Sequence, residues 1–128
     1  MSRYLLDTHA AIWFFNGDNS FSETAKKIIL NTSKIKYISV ISAWEVALKV
    51  GLGKLDFRGK TAGFVKDIER NGFILASISP THLTALEELP FIHRDPFDRL
   101  LIATAIAEKM TILTADENIV KYNVDQIW

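Results

Sequence analysis

The chain contains no cysteine. Disulfides, thiolate nucleophiles and cysteine-ligated zinc are therefore excluded. It also lacks an excess of charge, since 15 Lys and Arg balance 15 Asp and Glu. No global field draws a polyanion, so a nucleic-acid partner would have to be attracted by a local patch. One stretch offers such a patch: Lys49, Lys54, Arg58 and Lys60, interrupted only by Asp56. Its ordinary reading is a solvated loop. Long apolar runs are missing too. The longest helix-compatible one, Leu100 to Ala107, falls far short of the ~20 residues a bilayer requires. Asp7 interrupts the first apolar stretch before the core of a signal peptide can form. There is no low-complexity tract and no internal repeat. A soluble, cytoplasmic protein is the default expectation, with residues 1–128 forming a single domain.

What is present is an alternation of strands and helices. Tyr4-Leu5-Leu6 reads as a buried strand ending at Asp7, followed by a helix over Thr8–Phe15 that Asn16-Gly17-Asp18 stops. Ser20 to Leu30 predicts a second helix, with Ser20 and Glu23 at capping-box spacing. Lys36 to Val40 is β-branched and aromatic, hence a strand. Helices are predicted over Ser42–Val50 and Thr61–Arg70, then a short strand at Phe73–Leu75. Ser79-Pro80 and Asp95-Pro96 each pair an N-cap residue with proline at the first helical position. The helix after the second signal, Phe97–Glu108, is almost wholly apolar and should be packed on several sides. Thr111–Thr114 predicts a buried strand, Asn118–Lys121 a helical turn and Gln126–Trp128 a last strand. This rhythm argues for a parallel sheet with helices on both faces.

Open parallel sheets bind ligands beyond the carboxyl ends of their strands. Asp7 ends the first strand, Glu45 lies early in the helix after the second, and Asp116 follows the strand ending at Thr114. Asp98 opens the apolar helix, whose start should reach the same rim. Each acid alone has an ordinary role. Ser42 and Glu45 have capping-box spacing, as do Thr114 and Glu117. Asp98 can complement a helix dipole, and Asp7 can simply end its strand. Together, four carboxylates in one cleft stay ionised only if a cation joins them, or else some take up protons. Donors that are all oxygen select hard ions such as Mg²⁺ or Mn²⁺. Such an ion polarises a phosphate and acidifies a bound water, chemistry suited to phosphodiester hydrolysis.

Four segments now stand together: Leu5-Leu6-Asp7-Thr8-His9, Ser42-Ala43-Trp44-Glu45-Val46-Ala47, His93-Arg94-Asp95-Pro96-Phe97-Asp98-Arg99-Leu100-Leu101-Ile102-Ala103, and Thr114-Ala115-Asp116. In this combination the chain resembles PIN-domain proteins and, more narrowly, the VapC-type toxins of type II toxin–antitoxin systems. The resemblance runs from residue 4 to the C-terminus, and residues 93–103 are its most specific part. It implies a three-layer α/β/α sandwich whose sheet has the strand order 3-2-1-4-5. It also implies a Mg²⁺- or Mn²⁺-dependent endoribonuclease that hydrolyses RNA by metal-activated water. Asp7 and Asp98 would be the principal metal ligands. Glu45 would act through water or orient the nucleophile, and Asp116 would support a second or weaker metal site. Thr8, Ser42 and Thr114 would supply supporting hydroxyls. The resemblance further implies a homodimer and a cognate antitoxin lying across the site.

Several residues keep two readings. Asp95 rivals Asp98 but fits an N-cap better, since it precedes Pro96. His93 and Arg94 either touch phosphate or shape the loop. His9 and His82 have no companion at a ligand spacing and read as structural or exposed. Trp13, Phe14, Phe15 and Trp44 could stack on bases, although helical spacing favours core or a subunit interface. Two other functions fit parts of the pattern. One is a phosphotransfer or phosphatase-type enzyme with Asp7 as nucleophile. The other is a non-catalytic PIN scaffold that acts by protein binding.

Overall fold

Tyr4, Leu5 and Leu6 are all buried, but they face opposite ways, as period-2 side chains of a strand must. Tyr4 and Leu6 pack with Phe64, Ile68 and Phe73, while Leu5 packs with Leu101, Ile102 and Ile112. A strand buried on both faces needs helices above and below, and the computed structural model, which describes residues 2–128, has both.

The strands are β1 (Arg3–Leu6), β2 (Ile35–Ser39), β3 (Ile74–Ala76), β4 (Thr111–Leu113) and β5 (Gln126–Ile127). Their order across the sheet is β3-β2-β1-β4-β5, and every neighbouring pair is parallel. The expected order and the three-layer α/β/α sandwich are thus found. One face is covered by α1 (Thr8–Asn16), α2 (Glu23–Leu30), α3 (Val40–Gly51) and α4 (Lys60–Arg70). The other carries α5 (Pro80–Glu88), α6 (Pro96–Glu108) and α7 (Glu117–Val120). Among the described residues no helix is long and apolar enough to cross a membrane.

The α6 start signal is read correctly. Asp95 Oδ1 accepts from the N–H groups of Phe97 and Asp98, and Pro96 occupies the first turn. Residues 98, 99 and 101–105 of α6 are buried, as its nearly continuous apolar sequence requires.

Three expected caps are corrected. Ser22 rather than Ser20 caps α2, accepting from Ala25 N–H, since the helix begins at Glu23; the Ser20 N–H donates to the Asp18 carboxylate. Ser39 rather than Ser42 caps α3, accepting from Ile41 N–H, so Val40 belongs to the helix and not to β2. Asp116 rather than Thr114 caps α7.

Candidate metal centre at the carboxyl ends of the strands

Asp7 is positioned twice over. Its N–H donates to the Leu113 carbonyl at 3.2 Å, extending the β1–β4 ladder by one residue. Its side chain then caps α1, with Oδ1 accepting from Ala10 N–H at 2.7 Å. Oδ2 accepts from the Thr114 hydroxyl at the end of β4. Thr114 Oγ1 in turn accepts from the Asp116 N–H at 3.0 Å. Asp7, Thr114 and Asp116 therefore form one chain of contacts across the ends of two central strands. Asp7, His9, Trp13, Ala115 and Asp116 line a cleft of about 220 Å³ there.

Burial pushes the Asp7 carboxyl above its ordinary range. The Thr114 hydroxyl, the Ala10 N–H and nearby His9 act against this, while the charge of Asp116 adds to it. Asp98 is pushed up to about 6, again chiefly by burial. A hydrogen bond from His93 opposes that rise, and the charges of Asp95, Asp116 and Asp7 reinforce it. Asp7, Asp98 and Asp116 are thus close enough to feel one another. Asp95, though also near, spends Oδ1 on capping α6.

Glu45 reaches the area from α3. Ser42, one turn earlier, lies 2.9 Å from the Thr8 hydroxyl beside Asp7. The capping-box reading of Ser42 and Glu45 fails here, since Glu45 sits beyond the first turn of α3. Its Oε2 accepts from Lys49 Nζ at 2.6 Å, while Oε1 is buried without any partner.

As the side chains stand, Glu45 is turned to Lys49 and Asp98 to His93. Among the described residues no three carboxylates or histidines make a ready coordination shell. The donors nevertheless fit a hard divalent cation. They are oxygen only, burial reinforced by neighbouring carboxylates raises two of the carboxyl groups, and one buried carboxylate oxygen is left unsatisfied.

Of the residues with two readings, Trp13, Phe14 and Phe15 are half-buried and pack edge-on or tilted against Phe21, Phe64, Phe73 and Trp128. Trp44 is exposed, with Phe97 at 4.7 Å. His82 is buried and structural, accepting from the Ser79 N–H. His9 is exposed but lines the acidic cleft, a position its isolated place in the sequence does not disclose. Sequence reasoning also misses Arg99 and Tyr122. Both are buried behind Asp98, and nothing local marks Tyr122, since its contacts come from residues 23 and 29 positions away.

No curated protein sequence matches the chain. Among solved structures, the VapBC2 complex of Rickettsia felis bound to a promoter DNA fragment contains a similar chain. Its TM-score is 0.74 at 19% identity, with 98% of both chains covered. DNA-bound VapBC of Salmonella typhimurium gives 0.72 at 17% identity, covering 100% of this chain and 98% of that one. FitAcB of Neisseria gonorrhoeae gives 0.65 at 17%, covering 98% and 96%. At these identities the likeness establishes the fold. Membership rests on the sequence itself: the PIN-domain family model matches residues 4–124, nearly the whole chain, and the protein belongs to that family.

Proposed function

We propose that this protein is a Mg²⁺- or Mn²⁺-dependent endoribonuclease, the toxin of a type II toxin–antitoxin pair. The observation that carries the reading is the mutual crowding of Asp7, Asp98 and Asp116 at the carboxyl ends of the strands, with the unsatisfied Glu45 oxygen on the adjacent helix. PIN-family membership and the likeness to VapBC complexes support the substrate and the partner.

In this reading Asp7 and Asp98 would hold the cation, with Asp116 beside them. The cation, when bound, supplies a Lewis acid for the scissile phosphate and lowers the pKa of the attacking water. Glu45 would orient the attacking water or bind the cation through one, with its unsatisfied Oε1 free to do so. Thr114 and the Ala10 N–H favour the ionised form of Asp7 against the effect of burial, and they aim it. Attack on phosphorus needs no 2′-hydroxyl, so the products carry 5′-phosphate and 3′-hydroxyl ends. The protein acts in the cytoplasm as a homodimer, and a cognate antitoxin covers the site. Receiver-type phosphotransfer at Asp7 gains no support, because the groups whose charge bears on Asp7 are His9 and Asp116, and no lysine is among them.

The test is cleavage of labelled RNA by purified protein with Mg²⁺, with EDTA, and as Asp98→Asn. Cleavage should vanish in the last two. An Asp98→Asn protein as active as the wild type would sink the assignment.

A further inference from the structure

His93 stands between Asp98 and Tyr122. Its Nε2 lies 3.1 Å from Asp98 Oδ2, and its Nδ1 lies 2.8 Å from the Tyr122 hydroxyl. The same hydroxyl accepts from the His93 backbone N–H at 3.2 Å and from Arg99 Nη1 at 3.1 Å. Arg99 is itself pinned. It donates to the carbonyls of Pro90 (2.9 Å) and Leu89 (3.4 Å), and its guanidinium lies 4.4 Å from the Phe91 ring centre.

A phenol has one proton and accepts about two hydrogen bonds. Arg99 cannot lose its charge, so its N–H must donate, and the His93 backbone N–H can only donate. The Tyr122 oxygen therefore has both acceptor positions filled. Its own proton must point at His93 Nδ1. That nitrogen accepts, so the ring proton resides on Nε2 and faces Asp98. Asp98 Oδ2 receives a fixed donor, and Oδ1 is left for a further ligand.

We propose that His93 is a positioning residue for Asp98, and that Tyr122, loaded by Arg99, sets its tautomer so that the imidazole presents an N–H to the carboxylate. Its consequence for cation binding rests on the proposed function, whereas the tautomer does not. Bracing of the loop before α6 is the rival account, and burial of Arg99 and Tyr122 is compatible with it. Stability measurements do not separate the two, so a spectroscopic readout is required.

The experiment is a long-range ¹H–¹⁵N NMR spectrum of the metal-free full chain near neutral pH, with ¹⁵N-labelled histidine. The His93 signals are assigned by their loss in His93→Gln. The wild type should show one neutral Nε2–H tautomer at His93, and Tyr122→Phe should abolish that preference. An Nδ1–H tautomer, an imidazolium, or a tautomer unmoved by Tyr122→Phe overturns the proposal. Mn²⁺ titration calorimetry gives the second arm. His93→Leu should weaken Mn²⁺ binding about 10- to 100-fold. His93→Gln should recover much of it, because the glutamine amide N–H stands in for Nε2. Equal loss in both variants contradicts a positioning role. Should Tyr122→Phe unfold, the wild-type tautomer and the leucine–glutamine pair still decide. Wild-type protein that shows the tautomer without binding Mn²⁺ refutes the nuclease reading while supporting the His93–Asp98 orientation. Mn²⁺ binding with the wrong tautomer overturns this inference alone.

Discussion

Thr114 donates its hydroxyl proton to Asp7 Oδ2, joining residues 107 positions apart at the ends of the neighbouring strands β4 and β1. The same oxygen of Thr114 accepts from Asp116 N–H, so one hydroxyl touches both the Asp7 carboxylate and the residue that caps α7. Removing it as Thr114→Val leaves the shape but strips a buried carboxylate of a donor. The expected cost is about 1.5–3 kcal/mol in urea unfolding. Thr114→Ser should restore most of it, and a valine variant of wild-type stability would show the bond to be idle.

Asp98 gives a pH dependence of unusual sign. Its folded value is about 6 against an ordinary 3.8, so between these values the folded chain keeps a proton that the unfolded chain has released. The stability this group contributes is therefore greatest at the acid end and is lost as pH rises through about 6. Asp7, also raised, acts in the same direction. The Tm of metal-free wild type relative to Asp98→Asn should fall over this window. Stabilisation by Mg²⁺ should grow over it, as the proton leaves the site. A difference that is flat or rises with pH would contradict the assignment.

Among the described residues, Lys49 is the only side chain bonded to the Glu45 carboxylate. Lys49→Met should leave a buried charge unmatched and destabilise metal-free protein by about 1–3 kcal/mol. Mg²⁺ should then raise the Tm of this variant more than that of the wild type. Equal shifts in the two proteins would place Glu45 outside the cation's reach.

Gly63 tests the packing beneath α4. A Cβ there would lie 2.2 Å from the Arg58 carbonyl oxygen, and backbone must move on one side or the other. Gly63→Ala should cost about 1–3 kcal/mol by thermal unfolding, despite the gain in helix propensity. An unchanged or raised Tm would mean that the two segments are not in contact.

Much of the fold was legible locally. The apolar run of α6, bounded by Asp95-Pro96, declared its helix and its burial on several sides, because capping and periodicity act over a few residues. The placement of Asp7, Asp98 and Asp116 on one rim followed from the strand–helix rhythm together with the general rule for parallel sheets. Where two hydroxyls stood three residues apart, as Ser39 and Ser42 do, spacing could not say which would cap α3. In the fold Ser39 caps the helix, and the Ser42 hydroxyl lies on Thr8, 34 positions away.

The sequence by itself determined the alternation of elements, the absence of thiol chemistry and the set of acids available to the rim. These are written in composition and in contacts of a few residues. Only the tertiary structure decided what holds those acids. Thr114, far along the chain, joins Ala10 in steadying Asp7, Lys49 occupies Glu45, and a histidine loaded by a distant tyrosine faces Asp98. Such pairings arise when the sheet order brings the ends of β1 and β4 and the starts of α1, α3, α6 and α7 together. A side chain's partner is then chosen by the proximity of donors in space, to which separation along the chain is indifferent.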